Sequence, residues 1–364
     1  MALPIPGSID EITPEWLTAA LQSSGTLRAA QVTGFEREPI GAGVGLLGEL
    51  ARLTLSYDAV EAGAPATLIA KMPTQDPGGR GLAHMLGFYE NEERYYREMQ
   101  PLNPIHSPRC YYGAGDPATV QFVLLLEDLA ALRMGDQLAG LTLAEAKVAV
   151  GEFARYHARF WDTPEGPQVD WIPGFDHPRW QGLEMAYPGA KDVFLARFGH
   201  LLEPRDREVV EGFGPQMVDV LRGLDADRLT IGHGDARMDN FFFGSTDGSA
   251  PMTIIDWQIL LRAPGTYDIG YMLAQSIDSE LRRDHERDLL RQYHAALVAG
   301  GVDCYSWERC WEDYRRVLLF CLVYPVFGGG AIEPANERGA QLVEALTRRA
   351  FAAIRDLDCY ELLP

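Results

Sequence analysis

Two neighbouring stretches, Ile231-Gly-His-Gly-Asp-Ala-Arg-Met-Asp-Asn-Phe-Phe-Phe-Gly244 and Pro251-Met-Thr-Ile-Ile-Asp-Trp257, decide how the rest of the chain is read. They place His233, Asp235 and Asn240 in a polar loop and bring Asp256 to the end of an apolar strand. Asn240 and Asp256 offer the hard oxygen ligands that Mg²⁺ prefers beside phosphate oxygens, and Asp235 can accept the proton of a hydroxyl group. Phosphoryl transfer needs little covalent help from a protein. It does need charge neutralised and the reacting parts held in line, which a loop of this kind can supply.

A cation must also hold the donor phosphates. Lys71 ends the apolar strand Thr67-Leu-Ile-Ala-Lys71, where a lysine needs a partner, and Glu92 in Phe88-Tyr-Glu-Asn-Glu92 is the best candidate for an ion pair. Glu92 taken alone is also consistent with a solvated helix face. Upstream, Ile40-Gly-Ala-Gly-Val-Gly45 lies between two expected strands, so its N–H groups can approach phosphates closely, although a plain hairpin turn reads the same way.

Working outward, Thr13-Pro14-Glu15 reads as a helix start and Gly25 as its stop. Residues 32–38, 50–57 and 67–72 read as successive antiparallel strands, residues 81–99 as a helix, and residues 120–126 as a buried strand ending in Glu127-Asp128. Thr142 and Glu145 can form a capping box. Beyond it Leu143, Ala146, Val150, Phe153, Ala154, His157, Phe160 and Trp161 recur at helical spacing, so that His157 reads as a hydrogen-bonded core histidine. No internal repeat or low-complexity tract interrupts this plan. It is an α+β chain with a β-rich part to about residue 130 and a larger, mainly helical part over residues 131–364.

In chain order these pieces resemble the aminoglycoside phosphotransferase and choline kinase-like superfamily, especially its ecdysteroid kinase-like branch, over roughly residues 40–273. The resemblance implies a two-lobed, protein-kinase-like fold, with residues 1–130 as the nucleotide-binding lobe and 131–364 as the catalytic and acceptor-binding lobe. It implies ATP or GTP as donor, Mg²⁺ as cofactor and a small-molecule hydroxyl as acceptor. Gly41, Gly43 and Gly45 take the part of the nucleotide loop, Lys71 of the phosphate-binding lysine and Glu92 of its partner. Leu124-Leu-Leu-Glu127-Asp-Leu129 resembles the hinge where backbone atoms meet the adenine, which singles out Glu127 and Leu129. His233 is then a support for the catalytic loop, Asp235 the catalytic base, and Asn240 and Asp256 the metal ligands. Asp268, in Pro264-Gly-Thr-Tyr-Asp268, matches an aspartate that braces the loop in the family; it also reads as an ordinary helix N-cap.

Departures from protein kinases narrow the acceptor. Leu46 stands where a full GxGxxG would need glycine, Asp256 is followed by Trp257-Gln258, and Ala263-Pro264 runs into Gly265 with no Ala-Pro-Glu element. A protein acceptor is not expected. A pseudokinase-like module that holds nucleotide without turnover would be expected to lack one of Lys71, Asp235, Asn240 and Asp256, and all are present. A hydrolase using the same metal site on water is separable only by assay.

Composition excludes other classes. Fifty-two acidic against 32 basic residues leave a charge of −20, which repels nucleic acid and anionic membrane surfaces. The 47% hydrophobic and 23% charged fractions are those of an ordinary globular chain. Five scattered cysteines with no CxxC pair indicate neither a disulfide framework nor a zinc site, and a cytoplasmic location is expected. The first residues lack the pattern of a secretory signal, and the uncharged stretch 317–332 is too short to span a bilayer.

Two aromatic groups, Trp171, Phe175, Trp180 and Tyr187 in one and Trp307, Trp311, Tyr324 and Phe327 in the other, can line an acceptor cleft or fill a core. As cleft walls they suit a partly apolar hydroxylated acceptor, with a choline-like cation as the runner-up. A polycationic aminoglycoside is less suited, because Glu308, Glu312 and Asp313 alternate with Arg309, Arg315 and Arg316.

Overall fold

Thr13 starts the first helix by accepting the Trp16 N–H with its side chain, and Pro14 occupies the first position of α1 (Pro14–Ser23). The computed structural model describes residues 3–41, 47–162, 169–224, 228–331 and 337–364. These pack as two compact units. One comprises Met1–Leu102, His106–Arg133 and Ile255–Ile259; the other comprises Asn103–Ile105, Met134–Ile254 and Leu260–Pro364. The five residues carrying Asp256 therefore belong with the first unit, although the chain on either side belongs with the second.

The first unit is built on an antiparallel sheet of β1 (Val32–Ile40), β2 (Gly48–Tyr57), β3 (Thr67–Pro73), β4 (Cys110–Asp116) and β5 (Gln121–Glu127), in the order β1-β2-β3-β5-β4. The three successive strands and the buried strand β5 are where the sequence puts them. The strand β4 is not legible, because Cys-Tyr-Tyr-Gly-Ala-Gly-Asp shows no alternation of apolar and polar residues and carries glycines at two positions. Leu17, Ala20 and Leu21 of α1 pack with Ala51, Leu53, Leu68, Ala70, Val123 and Leu125 in one apolar cluster.

A single helix over 81–99 is not what forms. The chain makes α2 (Pro77–Met85), breaks, and resumes as α3 (Phe88–Arg94) before one wide π turn over Tyr95–Met99. The break falls at Gly87, whose φ of 72° is left-handed backbone that glycine adopts without steric cost.

The second unit is mainly helical: α4 (Leu143–Arg159), α5 (Arg179–Phe198), α6 (Pro204–Gly212), α7 (Met217–Arg222), α8 (Thr266–Gln275), α9 (Ser279–Ala299), α10 (Trp307–Phe320), α11 (Val323–Ala331) and α12 (Glu337–Asp356). The Thr142–Glu145 capping box forms, with the Thr142 N–H donating to Glu145 Oε2 at 2.8 Å. Ala146, Ala149, Val150, Phe153, Ala154, Tyr156 and His157 of α4 are buried, while Phe160 and Trp161 lie beyond its last residue. Two short antiparallel pairs flank the loop carrying Asp235: Thr230–Gly232 with Leu261–Ala263, and Phe241–Phe243 with Met252–Ile254. No described helix is long and apolar enough to cross a membrane.

Candidate active site

In the first unit, Lys71 lies within β3, two residues before the strand ends at Pro73. Its ammonium is 2.6 Å from Glu92 Oε2 and 2.8 Å from Asp256 Oδ1. Glu92 is 1% exposed, so α3 delivers a carboxylate into the interior, where it needs the lysine. That contact with Lys71 is a close ion pair. Burial opposes the charge on Lys71, but Asp256 and Glu92 outweigh it and raise the lysine above its ordinary value. Burial also pushes Glu92 up; Lys71 opposes that rise and Asp256 adds to it.

Asp256 stands at φ 67°, a left-handed conformation uncommon away from glycine that costs about 1–3 kcal/mol. Its neighbours hold it there. The Trp257 ring stacks on Tyr95 at 4.3 Å and 4°, Asn91 Nδ2 donates to the Gln258 carbonyl at 3.1 Å, and Gln258 Nε2 donates to Asp256 Oδ2 at 3.3 Å.

Of the expected nucleotide loop, Gly41 follows β1 at φ 71°, while Gly43 and Gly45 lie outside the described residues. At the expected hinge, the Glu127 N–H donates to the Arg109 carbonyl at 2.8 Å and Glu127 Oε2 accepts the Arg109 N–H at 3.0 Å. Leu129 is buried, and its carbonyl accepts the Leu132 N–H at 2.9 Å.

In the second unit the loop carrying Asp235 is held from beneath. Asp268 Oδ2 accepts the His233 N–H at 2.7 Å, and Oδ1 accepts the Gly234 N–H at 2.9 Å. Asp268 is not a cap of its own helix, since α8 begins at Thr266 and no side chain caps it. His157 Nε2 lies 3.1 Å from Asp268 Oδ2 and Nδ1 lies 2.9 Å from the Tyr293 hydroxyl, all fully buried, so His157 is a hydrogen-bonded core histidine. A Cβ at Gly265 would stand 2.1 Å from the Tyr293 hydroxyl oxygen, so only glycine fits there. His233, also fully buried, accepts the Asp235 N–H at Nδ1 over 3.2 Å.

Asp235 is 8% exposed, and its carboxylate is fixed from several sides. Tyr271 donates its hydroxyl to Oδ1 at 2.9 Å; Asn240 Nδ2 donates to Oδ2 at 2.9 Å and Arg237 Nε to the same oxygen at 3.2 Å. Asn240 Nδ2 also reaches the Asp235 carbonyl at 2.9 Å. Sequence reasoning missed Tyr271 and Gln137. Tyr271 had a signal, three residues after Asp268 and so on the same side of the helix. Gln137 had none: its Oε1 accepts the Met238 N–H at 2.7 Å from a hundred residues away.

The two aromatic groups come together only in part. Trp180 and Tyr187 are buried, Tyr187 packing on Phe213 and Phe327. Trp307 and Trp311 lie under the guanidinium groups of Arg291 and Arg287 on α9. Tyr324 stacks on Tyr271 at 3.9 Å and 8°.

Solved structures share this fold. The choline kinase of Cryptosporidium parvum Iowa II aligns with a TM-score of 0.58 at 10% identity, covering 91% of this chain and 92% of its own. An ethanolamine kinase of Plasmodium vivax gives 0.53 at 11% identity over 89% and 84%, and the GDP complex of wild-type aminoglycoside 2'-phosphotransferase-IIIa gives 0.53 at 12% over 92% and 99%. At these identities the likeness is one of fold, the protein-kinase-like arrangement with a β-rich N-terminal region and a helical C-terminal region. No curated protein sequence matches the chain. The ecdysteroid kinase-like family model matches residues 43–160 and 190–301, which is more than half of the sequence and spans Lys71, Glu92, Asp235, Asn240, Asp256 and Asp268; the chain belongs to the ecdysteroid kinase-like family.

Proposed function

We propose that this protein transfers the γ-phosphoryl group of ATP or GTP to a hydroxyl of a small, partly apolar molecule. The observation that carries the reading is Asp235: a carboxylate fixed by Tyr271, Asn240 and Arg237 on a loop braced through Asp268. Such fixing suits a general base that must meet one hydroxyl in one orientation. Asp235 takes the acceptor proton as the acceptor oxygen bonds to the γ-phosphorus. The bond from that phosphorus to the bridging oxygen breaks, and the nucleoside diphosphate leaves.

Lys71 is the phosphate-binding cation, and Glu92 orients it. Gly41, Gly43 and Gly45 cover the phosphates, and the backbone of Glu127 and Leu129 meets the base of the nucleotide. His233 shapes the loop without touching the reacting atoms. Asn240 and Asp256 would hold the metal. The residues fit a cation: Asp256 brings a carboxylate, held 2.8 Å from the Lys71 ammonium, and Asn240, whose Nδ2 is committed to Asp235, has Oδ1 to offer. Among the described residues no group of three or more His, Cys, Asp or Glu could hold a metal ion by itself, so phosphate oxygens would have to supply the other ligands. Bound Mg²⁺ would neutralise charge on the transferring phosphates.

Glu312 and Asp313 are paired with Arg316 and Arg309, which leaves them poorly suited to a polycationic acceptor. The described cysteines are unpaired, in keeping with a reducing, cytoplasmic setting. The test is a γ-phosphate transfer screen across aminoglycosides, choline, sugars, hydroxy acids and hydroxylated apolar compounds, with product masses measured. Phosphorylated product from one class supports the reading. Nucleotide bound but transferred to nothing, or hydrolysed equally without acceptor, would replace it with a binding module or a hydrolase.

A further inference from the structure

Arg179, the first residue of α5, is 5% exposed, yet no carboxylate among the described residues pairs with it. Among the described residues its guanidinium makes one long hydrogen bond, from Nη2 to the Leu260 carbonyl at 3.3 Å, and Nη1 is buried without a partner. Burial lowers its pKa to about 10, opposed by Tyr267 and Tyr324, so it remains charged at neutral pH. A planar fork of donors left short of acceptors in the interior is costly unless something anionic completes it.

Its surroundings are aromatic. The Arg179 Cζ lies 4.8 Å from the Trp180 ring; Phe175 packs between Trp180 and Tyr267 at 5.8 and 6.4 Å. The Tyr267 and Tyr324 hydroxyls are 2.6 Å apart and within electrostatic reach of the guanidinium. Tyr324 in turn stacks on Tyr271, which holds Asp235. A cation in an aromatic wall and the base carboxylate are thus joined, within the second unit, by a series of packed tyrosines.

We propose that Arg179 anchors an acidic group, a carboxylate or another oxyanion, on the acceptor whose hydroxyl meets Asp235, so that the substrate is a partly apolar hydroxylated acid. This rests on the phosphotransfer reading and specifies its acceptor. The aromatic side chains take the apolar body, and the guanidinium supplies the bidentate geometry that an oxyanion matches.

Calorimetry on the full chain decides it without turnover. The probes are 12-hydroxydodecanoate, its methyl ester and 12-hydroxydodecyl phosphate, titrated into the wild type, Arg179→Met and Arg179→Lys in the presence of Mg-ADP. The wild type is expected to bind at least one of the two acids about tenfold or more tighter than the ester. Arg179→Met should lose that preference, and Arg179→Lys should keep part of it. The carboxylate and phosphate arms tell which oxyanion is preferred. Equal affinity of acids and ester, no binding of either acid by the wild type, or an undiminished preference in Arg179→Met would overturn the proposal.

Melting temperature supplies a second readout. An arginine kept for a ligand is not needed for folding, so Arg179→Met is expected to melt no lower than the wild type without ligand, whereas a clear drop would mark a structural role and count against the proposal. Failure of the wild type to bind Mg-ADP or to transfer phosphate to any acceptor would sink the phosphotransfer reading instead.

Discussion

The Tyr271 hydroxyl donates to Asp235 Oδ1 at 2.9 Å, from a position three residues along α8 from Asp268, which braces the same loop. One helix therefore sets both the backbone and the carboxylate of the proposed base. Tyr271→Phe keeps the ring that stacks on Tyr324 and removes only the donor. A hydrogen bond to a charged group contributes about 1.5–3 kcal/mol, so kcat should fall about 10- to 100-fold with nucleotide affinity nearly unchanged. Steady-state kinetics beside an ADP titration checks this; a kcat within twofold of the wild type would show that the hydroxyl is not used.

Asp235→Asn tests the base itself. The substitution leaves Lys71, the proposed phosphate-binding lysine, in place, so nucleotide affinity should stay within a few-fold while turnover drops by about 10²–10⁴, the usual share of a general base. Near-normal turnover on the acceptor found by the transfer screen would remove Asp235 from this role.

Metal dependence should separate Asp256 from Asn240. A carboxylate brings a full charge and an amide only a dipole, so Asp256→Ala is expected to lose more of the Mg²⁺-dependent gain in nucleotide affinity than Asn240→Ala. Titrations with Mg²⁺ and with EDTA give that gain for each variant. If the gain survives in Asp256→Ala, this aspartate is only the counter-ion of Lys71.

Glu92 gives a pH test of stability. Its pKa is raised in the fold, chiefly by burial, so the folded state holds this proton to higher pH than the unfolded state does. Its contribution to stability is therefore largest below the ordinary carboxylate value of about 4.3 and declines as pH rises through the raised value. Glu92→Gln has no such titration, so the stability of the wild type relative to this variant should fall between pH 4 and pH 8. Urea unfolding across that range measures it, and a flat difference would mean that Lys71 compensates the buried charge fully.

The parts of the site legible in the sequence are those fixed by short spacing. His233, Asp235 and Asn240 share one loop, and Thr142 with Glu145 fall at the separation a capping box needs. The Lys71–Glu92 pair was legible because a lysine on an apolar strand must find a carboxylate. Gln137 and Arg179 were not, since one bonds a backbone N–H far along the chain and the other is defined by partners it lacks. The helix break at Gly87 is not legible, because a lone glycine is tolerated within helices and only its positive φ distinguishes a break.

Asp268 should be the most costly single residue of the site to remove. It is fully buried and accepts the N–H groups of His233 and Gly234 while lying 3.1 Å from His157 Nε2. Asp268→Ala takes this acceptor away from all of these donors in the interior, a loss of about 3–5 kcal/mol by analogy with broken buried pairs. Asp268→Asn keeps one acceptor oxygen but turns an amide NH₂ toward the remaining donors, so it too should be destabilised. Both variants should also lose turnover at temperatures where they remain folded, because the loop positioning Asp235 loses its brace. Urea unfolding gives the stability loss, and kcat measured well below each melting midpoint isolates the positioning effect. Full kcat in folded Asp268→Asn would confine Asp268 to the core and leave His233 and Asn240 to hold the loop.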